Sequence, residues 1–252
     1  MSEENGNSPI ISFAIFKDSI VFENNDLLVL NKPGWLVCHP SKRGPWSSLV
    51  GAARAYLGQG SIHLVSRLDR ETSGLVLIAK NKSTASIWQK GCALKRVQRE
   101  YIALLSGELR SSYRVELPIG KACDSLVFVK QAITSELEGK LSITQFDPLE
   151  YRFGNTRCRV KTETGRMHQI RVHAQHIGYP IIGDKLYGED ESYYLEFIKT
   201  GWNPLWKGIL KINRQALHAN KITRYSSTGE VEQTFSIGLP TDLHSFWENG
   251  FA

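Results

Sequence analysis

The sequence predicts a mixed α+β fold built on a mainly antiparallel sheet, because helical and strand periodicities alternate along the chain. Apolar residues recur at helical spacing over 47–57, 83–97 and 166–177. Between about 112 and 163 the apolar runs are short and separated by glycine and polar turns, the pattern of an antiparallel meander. With 252 residues, 41% of them hydrophobic, the chain can bury a core as one large domain or two small ones.

Taken in order, residues 1–17 start polar and acidic and are expected to form a weakly ordered arm, with one domain over 18–252. Ile20-Val21-Phe22 and Leu27-Leu28-Val29-Leu30 read as strands separated by the turn signal Asn24-Asn25-Asp26. The helix over 47–57 should end at Gly58-Gln59-Gly60, which lacks the third glycine of a dinucleotide loop and precedes a strand. Leu64-Val65 and Leu75-Val76-Leu77-Ile78 read as short buried strands. The helix over 83–97, with Ile87, Leu94 and Val97 inward, delivers the chain to a strand at Tyr101. Val127-Phe128-Val129, Leu141-Ser142-Ile143 and Cys158-Arg159-Val160 supply the meander, and 216–222 and 234–237 return as late strands. The sequence holds no internal repeat or coiled-coil heptad.

The 31 Lys and Arg exceed the 25 Asp and Glu, a formal charge of +6 that favours an anionic partner. Two basic clusters stand out: Lys90, Lys95, Arg96 and Arg99, then Arg152, Arg157, Arg159, Lys161, Arg166 and Arg171. Such tracks neutralise phosphates; the alternative for both is a solvated charged face. No apolar run is long enough to span a bilayer, and the N-terminus lacks an apolar stretch behind a basic start, so a cytoplasmic protein without membrane contact is expected. Cys38, Cys92, Cys123 and Cys158 form no Cys-x-x-Cys pair and are expected to be reduced, mostly buried thiols. Of His168, His173 and His176 only the last two share a helix face, with no nearby acid, so no metal is expected.

The stretch His63-Leu64-Val65-Ser66-Arg67-Leu68-Asp69-Arg70-Glu71-Thr72-Ser73-Gly74 sets a carboxylate beside arginines on a turn between apolar runs. Gly74 ends the turn with a residue able to take positive φ. Asp69 therefore falls at a strand end, either as a turn aspartate bonding its own backbone or as a reactive carboxylate on display.

This segment resembles the first motif of the RluA-type pseudouridine synthases, Arg-Leu-Asp followed two residues later by Thr-Ser-Gly. Arg99-Glu100-Tyr101-Ile102-Ala103-Leu104 is similar to the family's Lys-x-Tyr-x-Ala-Leu strand. Thr164-Gly165-Arg166-Met167-His168-Gln169-Ile170-Arg171-Val172-His173 is similar to its Thr-Gly-Arg-x-His-Gln-Ile-Arg-Val-His segment. The order along the chain is also the family's. Asn31-Lys32-Pro33-Gly34 through His39-Pro40, Pro118-Ile119-Gly120, Gly178-Tyr179-Pro180 through Gly183-Asp184, and Arg214 to Ala219 match weaker signatures, so the resemblance covers residues 19–240. It implies a long twisted, mainly antiparallel sheet flanked by helices and loops, with an active-site cleft across its middle. It also implies a stand-alone catalytic domain, since some eighteen residues before the first matched strand are too few for an S4 RNA-binding domain.

The reaction so implied breaks the bond from N1 to C1′ of a uridine, turns the uracil and joins C5 to C1′ without an external reagent, so no cofactor is expected. It requires a carboxylate at the sugar, as nucleophile at C1′ or as base toward the 2′ proton. By resemblance that carboxylate is Asp69, which is the family's essential residue, with Arg171 as its ionic partner. Tyr101 stacks on the uracil with its hydroxyl near C5; the alternative is a core strand aromatic. Arg67, Thr72, Ser73, Arg99, Arg166, His168 and Gln169 are expected to bind RNA or base. Extruding an internal uridine costs on the order of a few kcal/mol, and Arg67 would fill the vacated stack or hold a phosphate, unless it serves a structural ion pair. Ser66 stands where the family commonly has histidine, and Arg99 where it has lysine, which keeps the charge but not the geometry. The expected partner is ribosomal or transfer RNA, with no obligate protein partner and a monomeric state. Rival readings are a non-catalytic RNA-binding or remodelling module on the same fold and a uracil-removing glycosylase.

Overall fold

Serine or asparagine side chains start the first three helices, each supplying an oxygen to an otherwise unpaired N–H of the first turn. In the computed structural model, which describes residues 9–39 and 44–250, Ser12 caps α1 (Phe13–Asp18), Ser48 caps α2 (Leu49–Leu57) and Asn81 caps α3 (Lys82–Ala93). Around them run β1 (Ile20–Glu23), β2 (Leu27–Lys32), β3 (His63–Leu64) and β4 (Ser73–Ala79). Asn24 Oδ1 accepts from the N–H groups of Asp26 and Leu27, which closes the β1–β2 turn, and Gly58 ends α2 at φ 62°. The chain continues through β5 (Val97–Ser106), β6 (Tyr113–Lys121), β7 (Gln131–Ile133), β8 (Lys140–Arg152) and β9 (Asn155–Thr162). Then come α4 (Gln169–His176), α5 (Ser192–Thr200), α6 (Lys207–Leu210), β10 (Leu217–Tyr225), β11 (Val231–Ser236) and α7 (Thr241–Asn249).

The chain divides into two compact units, Met1–Arg99 with Ala219–Gly238 and Glu100–His218 with Leu239–Ala252. In the first unit the strand order is β1-β2-β4-β10, with β3 on β4 and β11 on β10. Pairing is antiparallel between β2 and β4, where Leu28 faces Ile78 and Leu30 faces Val76. Side chains alternate across a strand, so this register sorts the apolar runs into two cores. Leu28, Leu30, Val76 and Ile78 pack with Phe16, Leu49, Ala52 and Ala53 of α1 and α2. Leu27, Val29, Leu75 and Leu77 pack on the other face with Trp88, Ile222 and Phe235. Both faces are covered, hence the uninterrupted apolar runs.

In the second unit the order is β5-β9-β8-β6-β7, antiparallel at β6–β7, β6–β8 and β8–β9. Val172 of α4 packs with Ile119, Val127, Leu186 and Tyr187. The fold is a mixed α+β arrangement with a large, mostly antiparallel sheet flanked by helices, as expected.

Four local expectations change. Of the arm expected over 1–17, residues 1–8 lie outside the described residues, but Ile11 and Phe16 are fully buried and Ile11 N–H donates to the Trp46 carbonyl at 2.8 Å. The acidic start hides an apolar pattern that the α2 face covers. The helix over 83–97 stops at Ala93 and turns a different face inward: Ala85, Trp88 and Gly91 are buried, while Ile87 and Leu94 are 49% and 60% exposed. The indole has more apolar surface to bury than either aliphatic chain and sets the rotation of the helix. Residues 127–129 are not a strand; Val127 is buried but Phe128 is exposed on a loop. Cys38 and Cys158 are buried, whereas Cys92 is half-buried and Cys123 exposed; all four are free.

Candidate active site

Asp69 sits half-buried in the first unit, on the turn between β3 and β4. Three interior contacts fix that turn. Cys38 Sγ accepts from Leu68 N–H and donates to Leu68 O, both at 3.4 Å. Thr72 N–H donates to the Asp69 carbonyl at 3.2 Å. Lys32, with no exposed surface, donates from Nζ to the carbonyls of Pro33 (2.9 Å), Leu36 (2.8 Å) and Arg70 (2.9 Å). These three bonds tie β2 to the residue after Asp69. Burial raises the Cys38 thiol above its ordinary value, against the opposing Lys32 charge, so the sulfur stays a protonated partner. Gly74 takes φ 114°, and a Cβ there would lie 2.3 Å from the Ala219 carbonyl oxygen. Only glycine lets β10 pass this close behind the turn.

Thr72 and Ser73 are each 2% exposed, so they shape the turn from within. Arg67 is exposed, with Nη1 3.4 Å from His39 Nε2. Pro40, in the same weak signature, lies outside the described residues.

The second unit carries Tyr101 and the α4 segment. Tyr101 is buried on β5 with only 9% of its surface exposed. Arg171 is buried and pairs with Asp184, Nε to Oδ2 at 2.6 Å and Nη2 to Oδ1 at 2.8 Å. Asp184 Oδ1 also accepts from the N–H groups of Leu186 and Tyr187, both at 3.0 Å. Burial alone would raise the Asp184 carboxyl; the Arg171 charge and these hydrogen bonds outweigh it and hold the group ionised below its ordinary value. The Arg171 guanidinium also lies 4.8 Å from the Tyr187 ring centre, and the Tyr187 hydroxyl is 2.8 Å from His168 Nδ1. His168 takes φ 55° at the start of α4, which therefore begins later than 166.

Gln169 is buried and spent on structure: Oε1 accepts from Thr164 Oγ1 and Arg166 N–H, while Nε2 donates to Ile143 O and Thr144 Oγ1. The expected RNA contact gives way to a brace between α4 and β8. Arg166 is exposed, and Arg99 Nη2 donates to Cys92 Sγ at 3.1 Å.

Of the second basic cluster, Arg152 pairs with Glu150 and Glu248, Arg157 with Glu150, Arg159 with Asp147 and Arg171 with Asp184. That cluster is largely a compensated charged face. In the first unit Lys90, Lys95 and Arg96 are exposed. Two residues that anchor the site, Lys32 and Asp184, fall within the weaker signatures of the sequence but carry no chemical role there. A lysine ending a strand that opens with four apolar residues is the signal for the first.

Residues 26–176 match the family described as RNA pseudouridylate synthase. A ribosomal large subunit pseudouridine synthase D from Yersinia pestis is 32% identical over 229 residues, spanning 89% of this chain and 68% of that protein. Its counterpart in Buchnera aphidicola is 34% identical over 236 residues, spanning 91% and 72%. Two human structures share the fold: RNA pseudouridylate synthase domain containing 1 (TM-score 0.67, 24% identity, 95% of this chain and 86% of that one) and domain containing 4 (0.68, 22%, 92% and 93%). Family match and sequence identity agree with the three motifs, and the chain belongs to the RluA-type RNA pseudouridine synthases, enzymes that are isomerases of uridine in RNA.

Proposed function

We propose that this enzyme isomerises particular uridines in structured RNA through Asp69, with ribosomal RNA of the large subunit as the first substrate to try and transfer RNA as the second. The observation that carries the reading is the Asp69 turn: a half-buried carboxylate on a segment whose neighbouring backbone is bonded to the interior groups Lys32 and Cys38. A solvent turn has no need of a fully buried lysine beneath it. The names of the bacterial relatives support the choice of RNA.

In this reading Asp69 works at the sugar, Tyr101 stacks on the uracil and Arg171 is the basic residue of the third motif; the family motifs support these assignments. Asp184 acts behind Arg171 by fixing its guanidinium. Arg67 and Arg166, both exposed, and the surface group Lys90, Lys95 and Arg96 are the proposed phosphate contacts. Thr72 and Ser73 set the turn. His168 orients through Tyr187, and Arg99 lies on Tyr101's own strand, two residues before it. The protein is proposed to act in the cytoplasm, as a monomer and without a cofactor.

The test is incubation with cellular RNA tritiated at uridine C5, with pseudouridine mapped in a deletion strain and its complement. Tritium release with new pseudouridines at fixed positions is the expected result. Binding without release would favour the non-catalytic module, and free uracil the glycosylase.

A further inference from the structure

We infer that Phe128 is a stacking platform for an unpaired base of the bound RNA; this rests on RNA being the substrate. Phe128 is 80% exposed, the most exposed aromatic ring among the described residues; Phe153 follows at 62%. An exposed ring on a slack loop would signify little. This loop is held.

Glu191 grips it at three points: its Oε2 accepts from Ser125 Oγ and from Lys130 Nζ, both at 2.7 Å, and its Oε1 from Leu126 N–H at 3.2 Å. Val127, one residue before the ring, is 4% exposed and packs with Ile119, Val172, Leu186 and Tyr187. Gln131 N–H donates to the Tyr187 hydroxyl at 2.8 Å, and backbone bonds from Lys130 N–H to Val127 O (2.9 Å) and from Ala122 N–H to Lys130 O (3.0 Å) close the loop. Buried Val127 and its anchors therefore force Phe128 outward. Tyr187 also lies against Arg171 and His168, so the platform rests on the same side chains that seat the α4 motif.

The chemistry around the ring selects the occupant. Lys121 Nζ stands 4.0 Å from the Phe128 ring centre, a cation–π contact that pre-positions both groups. An exposed ring with an ammonium over one face suits a nucleobase on the opposite face with its phosphate toward the lysine: every base stacks on an aromatic ring and every nucleotide carries a negative charge. The other strongly exposed side chains near this edge, Leu126 and Leu137, offer no ring.

The experiment is filter binding of the full chain, as wild type, Phe128→Ala and Phe128→Trp, to single-stranded oligouridylate and to a fully paired RNA duplex, across salt concentrations. Phe128→Ala should weaken single-strand binding roughly 5- to 150-fold, the range of one base–aromatic stack, with duplex binding and the salt slope unchanged. Phe128→Trp should keep wild-type affinity within a few fold. Equal single-strand affinity for wild type and Phe128→Ala overturns the proposal, as does an equal loss on both RNAs. A change of self-association in Phe128→Ala with RNA binding intact overturns it too, and assigns the ring to a protein contact. If wild type binds as expected but releases no tritium from C5-labelled RNA, the synthase reading fails and the stacking platform stands.

Discussion

Arg171 and Asp184 form a buried two-pronged ion pair, with Nε–Oδ2 at 2.6 Å and Nη2–Oδ1 at 2.8 Å, and Asp184 is further held by two backbone N–H groups. Removing one partner of such a pair leaves the other charge stranded, at a typical cost of about 3–5 kcal/mol. Asp184→Asn should therefore lower the unfolding free energy by that order in urea titrations. It should also lower kcat in the fraction that remains folded, because Arg171 loses its orientation. The sign with pH follows from the depressed Asp184 carboxyl: its stabilisation is present above the unfolded value near 3.8 and is lost as pH falls through the folded one. A variant as stable and as active as wild type contradicts the assignment.

Lys32 bonds three carbonyls, one of them in the residue after Asp69. Lys32→Met keeps the aliphatic bulk and leaves those carbonyls short of a donor, each at about 1–3 kcal/mol when buried. The turn should loosen more than the fold. The expected outcome is kcat reduced at least tenfold with KM for RNA changed little; loss confined to KM would make Lys32 part of the RNA surface instead.

His173 has no exposed surface, and burial, aided by the His176 charge, pushes it down to about 4. Its Nδ1 lies 2.9 Å from Thr144 Oγ1, the atom that also receives Gln169 Nε2. Protonation is therefore easier in the unfolded chain, and stability should fall as pH drops from about 6.5 toward about 4, by up to about 3 kcal/mol. Thermal melts of wild type and His173→Asn over that range check it: the variant should have the flatter profile, and parallel profiles would place the pH response elsewhere.

The strands of the first unit are legible in sequence because their apolar runs are uninterrupted, as they must be when α1 and α2 cover one face and Trp88 with Phe235 the other. The motif residues are legible because a carboxylate, an arginine and a glycine on one turn are rarely core. What escapes is contact made at long range by irregular chain. Asp184 meets Arg171 across 13 residues with no periodic pattern between them. Val127-Phe128-Val129 has strand composition, yet Glu191, more than sixty residues later, dictates a loop. The second basic cluster reads as a phosphate track until Glu150, Asp147 and Glu248 are seen beside it.

The central claim is that Asp69 carries the chemistry, and tritium release from C5-labelled RNA by Asp69→Asn tests it most directly. The amide keeps the shape of the side chain and loses both nucleophile and base. Release should vanish while RNA affinity, measured in parallel, stays within a few fold of wild type. Undiminished release from Asp69→Asn would contradict the account.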